Sequence, residues 1–361
     1  MKKIAICLAT RPEIMKNYSI VKALKEKEVP FIVIHTNQHH DANMSTVFFE
    51  QMGYQPDYVL TAPYSIGKAI DETMKILVDE NIDVVLVNGD TAGSLVGALA
   101  AMYTDKKIAH VEAGLRSYDP YMYEERNRIM VDSMAHYLLT YTDRQAEFLI
   151  TTPCLRGEIR NVGNTTVDLI NDFEYQIDCV PQFLKEEAET KAFFYITLHR
   201  KEFTDHKNRI IDVFTAIKEI TEKTGIRGIF PMHPRTKAAC KLEDIDYQAL
   251  LGENVHVIEP VTAFESMFFE KCSMFILTDS GCIQEEAYIF NTPCVTVREN
   301  TERPETLIAG ANIVTGFKKE DVVEAAFEAC ERVKKFGKEK NPSVYGDVGV
   351  GSRIVDSIIK D

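Results

Sequence analysis

Met274-Phe275-Ile276-Leu277-Thr278-Asp279-Ser280-Gly281-Cys282-Ile283-Gln284-Glu285-Glu286 is the stretch whose reading decides the fold. A strongly apolar run stops at a short polar turn, and a segment with helical spacing begins at once. A buried strand that feeds a helix through a glycine turn is the repeating step of a parallel sheet with crossover helices. Ser280 stands where it can cap the new helix, and Gly281 lets the backbone approach a ligand closely. Free N–H groups at such a helix start attract phosphate. An ordinary capped helix explains this segment about equally well by itself.

Working outward, the same step recurs along the chain. In the first half, strands are expected at Ile4 to Leu8, Phe31 to His35, Val84 to Val87, Ile108 to Val111, Tyr137 to Tyr141 and Ile159 to Val162. In the second half they are expected at Phe193 to Leu198, Gly228 to Pro231, Val255 to Ile258, Met274 to Leu277, Pro293 to Val297 and Asn312 to Val314. Residues 165 to 190 are charged and lack a strand signal, which places the connection there. The fold class is therefore α/β with parallel sheets, in two halves. At 361 residues the chain suits two cores rather than one.

Composition narrows the partners. Hydrophobic residues at 45% and charged residues at 27% describe ordered, well-solvated domains. A formal net charge of -14 argues against binding nucleic acid or an anionic membrane, since both need broad Lys and Arg surfaces. A small phosphorylated ligand needs only local positive charge. No apolar run reaches the roughly 18 residues of a membrane span, so no membrane insertion is expected. Met1-Lys2-Lys3 leads straight into a strand pattern, and a cytoplasmic location is expected. The eight cysteines form no CxxC and signal neither zinc nor disulfides; no metal is expected.

Chemistry gathers just past the strand ends, where open α/β sheets bind ligands. Thr10-Arg11-Pro12-Glu13 comes after the first strand, and Arg11 and Lys16 can reach a ligand at the helix start. Asn88-Gly89-Asp90-Thr91 presents a carboxylate, as does His110-Val111-Glu112, and Glu124-Glu125-Arg126-Asn127-Arg128 lies in the next loop. Three acids near one point suit proton removal on one face of a carbon and delivery on the other. Taken singly, each acid also fits a helix cap or an ion pair with Arg116, Arg126 or Arg128. His199-Arg200 ends the first strand of the second half and suits contact with a leaving group, and His233-Pro234-Arg235 is a weaker case of the same kind. Glu286, early in its helix, is placed to accept from ribose hydroxyls.

Together these motifs resemble the non-hydrolysing UDP-N-acetylglucosamine 2-epimerases. The segments are Thr10 to Lys16, Asn37 to Asp41, Asn88 to Thr91, His110 to Arg116, Glu124 to Arg128, Thr197 to Arg200, Thr278 to Glu286 and Thr301 to Glu305, in the family's order over almost the whole chain. The resemblance implies a glycosyltransferase-B-type fold, two Rossmann-like domains facing across a cleft. The expected boundaries are 1–168 for the domain with the acids, 169–344 for the UDP-binding domain and 345–361 for a last helix crossing back. It implies anti elimination of UDP to a 2-acetamidoglucal, then re-addition, converting UDP-N-acetylglucosamine to UDP-N-acetylmannosamine. The positions matching Asp90, Glu112 and Glu124 are acid/base candidates, and His199 lies near the departing phosphate. Arg11, Lys16, Arg128, His233, Ser280, Gly281, Cys282, Glu286 and Arg303 match substrate-binding positions. Gln38 and His39 match part of a second, activating UDP-sugar site. The resemblance also implies a homodimer, no cofactor, and service to polysaccharide biosynthesis.

Three departures mark this chain. The family's usual Gly-Gly is Gly281-Cys282 here. An aromatic that stacks on uracil is replaced by Ser266, with Phe264 or Phe268 as substitutes. The Arg-Gln pair of the activating site is not evident in Leu60 to Gly67. The alternatives are a hydrolysing relative that releases free N-acetylmannosamine and UDP, a 2-epimerase of a modified UDP-amino sugar, a glycosyltransferase, and a catalytically silent UDP-sugar sensor.

Overall fold

Ile4–Leu8 forms strand β1, and every one of its residues is buried. A strand covered on both faces needs no polar alternation, and Ile-Ala-Ile-Cys-Leu has none. The structure, a computed structural model, describes residues 2–37, 42–61, 65–153, 155, 157–189 and 192–360. Within them β1 is joined by β2 (Phe31–His35), β3 (Tyr58–Val59), β4 (Val84–Asn88), β5 (Lys107–Val111), β6 (Tyr137–Thr140) and β7 (Glu158–Asn161). These make a seven-stranded sheet in the order β3-β2-β1-β4-β5-β6-β7, and the pairings are parallel. At its edge β7 reads Glu-Ile-Arg-Asn and is only partly covered, as an edge strand requires.

The second sheet holds β8 (Phe193–Thr197), β9 (Arg227–Pro231), β10 (Val255–Ile258), β11 (Ile276–Thr278), β12 (Cys294–Thr296) and β13 (Asn312–Val314). Its order is β10-β9-β8-β11-β12-β13, again parallel. The α/β class with two parallel sheets is thus the class expected. Most strands fall where the apolar runs place them. β3 is not anticipated by the sequence pattern, because two residues make too short a run to show a period. The segment 165–190, expected only as a connection, contains the helices Thr165–Asp172, Glu174–Asp178 and Gln182–Glu189.

The chain divides into two compact units, Met1–Asp172 with Ser343–Asp361, and Phe173–Pro342. Each sheet is wrapped into its own core, with Cys7, Val85, Val87 and Ala98 in the first and Phe194, Phe230, Leu277 and Val295 in the second. The helix Ala92–Tyr103 lies close on β1 and β4. A Cβ at Gly97 would fall 2.7 Å from Cys7 Cβ and 2.9 Å from Val87 Cγ1, so that face of the helix accepts no side chain.

The last helix, Val350–Ile359, packs on Tyr18–Glu26 within the first unit. Its Gly351 is so near that an added Cβ would lie 2.1 Å from the Ser19 carbonyl oxygen. Asp168 accepts hydrogen bonds from the N–H groups of Gly349 (2.6 Å) and Gly351 (2.8 Å), and so satisfies donors that a helix start leaves open. Among the described residues no helix is long and apolar enough to cross a membrane.

Candidate active site

Each sheet reverses its strand order once, between β1 and β4 in the first unit and between β8 and β11 in the second. The loops leaving neighbouring strands part in opposite directions there, which opens a crevice at the carboxyl edge.

In the first unit the β1 edge is organised by Glu13. Its Oε2 accepts from Ala9 N–H, Thr10 N–H and Thr10 Oγ1 at 2.7 to 2.9 Å. Its Oε1 accepts from Thr91 Oγ1 (2.8 Å) and Ser94 Oγ (3.1 Å). Burial raises the Glu13 carboxyl above its ordinary range, against the pull of these donors. One side chain thus ties the start of the helix Arg11–Lys16 to that of Ala92–Tyr103. Thr91, not Asp90, caps the second of these, accepting from Ser94 N–H at 3.1 Å. Asp90 is left for other contacts.

Asp90 Oδ2 is paired with an Arg128 guanidinium nitrogen, and Arg128 also donates to Glu125 Oε2 at 2.8 Å. Asn127 Nδ2 donates to the Asp90 carbonyl at 2.9 Å. Glu112 adopts a φ of 73°, an uncommon left-handed conformation for a side chain of its size. A Cβ at Gly89 would meet its Oε2 at 3.4 Å. The sequence offered Arg116, Arg126 or Arg128 as ion-pair partners for the acids. Arg128 is the partner of Asp90, but Glu112 pairs with Lys16, at 2.7 Å. Arg116 instead pairs with Asp132 at 2.7 Å, and Arg126 donates to the Pro120 carbonyl. Tyr141 OH stands 3.3 Å from Glu112 Oε2, and the Lys16 ammonium lies over its ring.

Asp90, Glu112, Lys16 and Arg128 are therefore held at neighbouring strand ends. Glu124 is in the first turn of the helix Tyr123–Met134 and exposed. Arg11 is also exposed, its guanidinium 5.6 Å from the Phe48 ring centroid. Gln38 and His39 lie outside the described residues.

In the second unit Asp279 sets the β8 edge. Its Oδ2 accepts from the N–H groups of His199 (2.8 Å) and Arg200 (2.7 Å), and its Oδ1 is 3.4 Å from His199 Nδ1. Burial lowers the His199 imidazole below its usual value while Asp279 opposes the shift. His233 stands beside it, ring centroids 5.2 Å apart, and its Nδ1 caps the helix Pro234–Leu242 by accepting from Arg235 N–H.

Gly281 opens the helix Gly281–Ile289. A Cβ on it would lie 3.6 Å from guanidinium nitrogens of both Arg200 and Arg303, so two cations meet at this helix start. Ser280 occupies the N-cap position, but its side chain makes no capping bond, contrary to the expectation from sequence. Its backbone is instead tied by N–H to Thr278 Oγ1, at 3.0 Å. Cys282 is half-buried.

Arg303 is oriented by Glu285 (2.6 Å) and Glu302 (3.5 Å), and Glu302 takes two bonds from Arg298. Burial would raise the Glu302 carboxyl, but Arg298, Arg303 and Arg200 hold it well below the carboxylate range. Arg298 is legible in the sequence as a residue past a strand end, and Glu285 and Glu302 fall within the quoted motifs, but the sequence assigns none of them an individual role, because a charge is indistinguishable from a solvated one until it is seen buried. Nor did sequence reasoning include Arg200 among the substrate-binding residues.

Ser266 stands where an aromatic was expected. It accepts from Tyr195 OH (3.0 Å) and donates to Glu270 Oε1 (2.7 Å). Burial, and then the neighbouring Glu286, push the Glu270 carboxyl well above its ordinary range. Of the two substitutes, Phe264 is stacked on Phe173 at 5.0 Å and Phe268 is buried.

The sequence profile of the UDP-N-acetylglucosamine 2-epimerase family matches residues 22–359. The chain belongs to that family. It is 39% identical over 362 residues to the UDP-N-acetylglucosamine 2-epimerase of Methanocaldococcus jannaschii, covering 98% of each chain. It is 34% identical to the UDP-2,3-diacetamido-2,3-dideoxy-D-glucuronate 2-epimerase of Pseudomonas aeruginosa, covering 99% of each. A crystal structure of the M. jannaschii epimerase in complex with UDP-GlcNAc and UDP superposes with a TM-score of 0.88 at 36% identity, over 99% of this chain and 100% of that one. The match extends over both units.

Proposed function

We propose that this epimerase-family chain inverts C2 of a UDP-N-acetylhexosamine, interconverting UDP-N-acetylglucosamine and UDP-N-acetylmannosamine. Carbon 2 has no neighbouring carbonyl to acidify its proton. Cleavage of the bond between C1 and the phosphate oxygen therefore runs ahead of deprotonation, and stabilising the leaving group matters most. The bond electrons depart with UDP toward Arg200, Arg303, His199 and the N–H groups of the helix start at Gly281. A carboxylate then takes the C2 proton, the C–H electrons become the C1–C2 double bond, and 2-acetamidoglucal results. A proton returns to C2 from the opposite side and the UDP oxygen re-forms its bond to C1. No water is consumed and no atom is lost. Asp90, Glu112 and Glu124 are the acid/base groups. Arg11, Lys16, Arg128, His233, Ser280, Cys282 and Glu286 complete the substrate contacts.

The observation that carries this is Asp90 and Glu112 at the carboxyl ends of the adjacent strands β4 and β5, next to the strand reversal of the first sheet, in a chain matched to the family over residues 22–359. The test is proton NMR of UDP-N-acetylglucosamine with the protein in heavy water. Deuterium at C2 of a UDP-linked manno product supports the reaction; free N-acetylmannosamine would show hydrolysis instead, and an unchanged C2 proton would reject both for this substrate.

A second substrate is favoured by one relative, 34% identical and named for a diacetamido uronate. A higher kcat/KM for UDP-2,3-diacetamido-2,3-dideoxy-D-glucuronate than for UDP-N-acetylglucosamine would reassign the sugar. The family resemblance also supports a cytoplasmic homodimer without metal or redox cofactor. Light scattering at twice the 41.0 kDa chain mass, and activity retained in EDTA, are the expected results.

A further inference from the structure

His110 lies on β5, two residues before Glu112, and is completely buried. Its Nδ1 is 2.7 Å from Asp132 Oδ1 and its Nε2 is 3.0 Å from the Gly89 carbonyl oxygen. Asp132 is itself engaged by Arg116 at 2.7 Å and by the Gly114 N–H at 3.2 Å. Burial would raise the Asp132 carboxyl, but His110 and Arg116 hold it below its ordinary value, so it stays an acceptor. A carboxylate and a carbonyl only accept, so in each contact the donor is the ring nitrogen.

The Gly89 end of this chain of contacts matters because Asp90 is the next residue. Gly89 has a φ of 81° and donates its own N–H to the Val111 carbonyl at 3.0 Å. Both of its peptide groups are thus tied to β5, one through backbone and one through the His110 ring. The Asp90 carbonyl is fixed separately by Asn127. If the Nε2 bond is lost, the Gly89 carbonyl loses the side chain that holds it, and rotation of the peptide between Gly89 and Asp90 swings the Asp90 carboxylate. Catalytic geometry is sensitive on this scale, since a displacement of about 1 Å can lower a rate about 100-fold.

We propose that His110 is a positioning residue for the Asp90–Glu112 acid pair, acting through the Gly89 carbonyl and held in place by Asp132 and Arg116. This rests on the epimerase reading of Asp90. A histidine that merely fills space would serve equally well in any isostere of similar volume; a positioning donor would not.

The test compares His110→Asn with His110→Gln in the full-length protein. Asn places an amide near the Nδ1 position and keeps Asp132 but releases Gly89; Gln reaches the Nε2 position and keeps Gly89. For His110→Asn the expected result is a kcat lower by about 10- to 100-fold, a KM for UDP-N-acetylglucosamine within about twofold, and faster hydrogen exchange in residues 84–92. His110→Gln should recover most of both. Normal exchange and kcat in His110→Asn, or a Gln variant as impaired as Asn, overturns the proposal. If His110→Asn does not fold, Asp132→Asn, which keeps the shape and removes the charge holding the ring, should speed exchange in 84–92; an unchanged segment overturns the proposal. Wild-type protein that never exchanges C2 of any UDP-amino sugar sinks the epimerase reading, whereas hydrogen exchange still decides what His110 does.

Discussion

Lys16 Nζ lies 2.7 Å from Glu112 Oε2, and both side chains are almost wholly buried. The two residues are 96 positions apart and reach each other from the edges of β1 and β5. The ammonium faces the Glu112 carboxylate directly, and Glu112 keeps Lys16 aimed inward.

Breaking this pair should be costly. Lys16→Met leaves a buried carboxylate without its cation and is expected to lower stability by about 3 to 5 kcal/mol. The double variant Lys16→Met with Glu112→Gln should recover part of that loss. Urea unfolding of the two variants measures the difference, and equal midpoints would show that the pair is not coupled.

Asp90→Asn keeps the shape and removes the acid/base group. C2 exchange should slow by about 100-fold or more, while UDP affinity, which the proposed function assigns to the second unit, stays near the wild-type value. Near-normal turnover would remove Asp90 from the chemistry.

Arg303 points a guanidinium at the start of the helix Gly281–Ile289 while Glu285 and Glu302 hold its other edge. Arg303→Lys retains a charge but cannot span both carboxylates and the diphosphate that the proposed function places at this helix start. UDP affinity by calorimetry should fall by about tenfold or more, corresponding to about 1.4 kcal/mol, and Arg303→Met should be weaker still. The same affinity in all three proteins would place the diphosphate elsewhere.

Glu270 is fully buried with its carboxyl pushed up by burial and by Glu286. A folded-state value raised above the unfolded one means its favourable contribution is complete below the unfolded value. That contribution is lost as pH rises through the raised folded value. Glu270→Gln cannot ionise, so its melting temperature should decline less than that of the wild type as pH rises above the ordinary carboxylate range. Parallel curves would show that Glu270 does not titrate above that range.

Gly351→Ala tests the docking of the last helix. A methyl group 2.1 Å from the Ser19 carbonyl oxygen forces the helix Val350–Ile359 away from Tyr18–Glu26. The expected loss is about 1 to 3 kcal/mol, read by thermal or urea unfolding; an unchanged midpoint would mean the helix moves without resistance.

The sequence alone determined the α/β class, most strands, and the polar residues at their carboxyl ends, because each is a local matter. A buried parallel strand must be continuously apolar, and the residues after it must turn. Ile4–Leu8 and the turn at Asp279 to Gly281 are legible for that reason. Order along the chain likewise made the family resemblance readable. Tertiary structure alone decided the strand neighbours, with β4 beside β5 bringing Asp90 near Glu112, and it brought Arg200 and Arg303 together at Gly281. It also chose Lys16 rather than an arginine for Glu112, and turned Arg298, Glu302 and His110 from ordinary polar residues into buried partners. Partner choice depends on through-space distance and on how much water is excluded, and neither is a property of a residue and its neighbours in sequence.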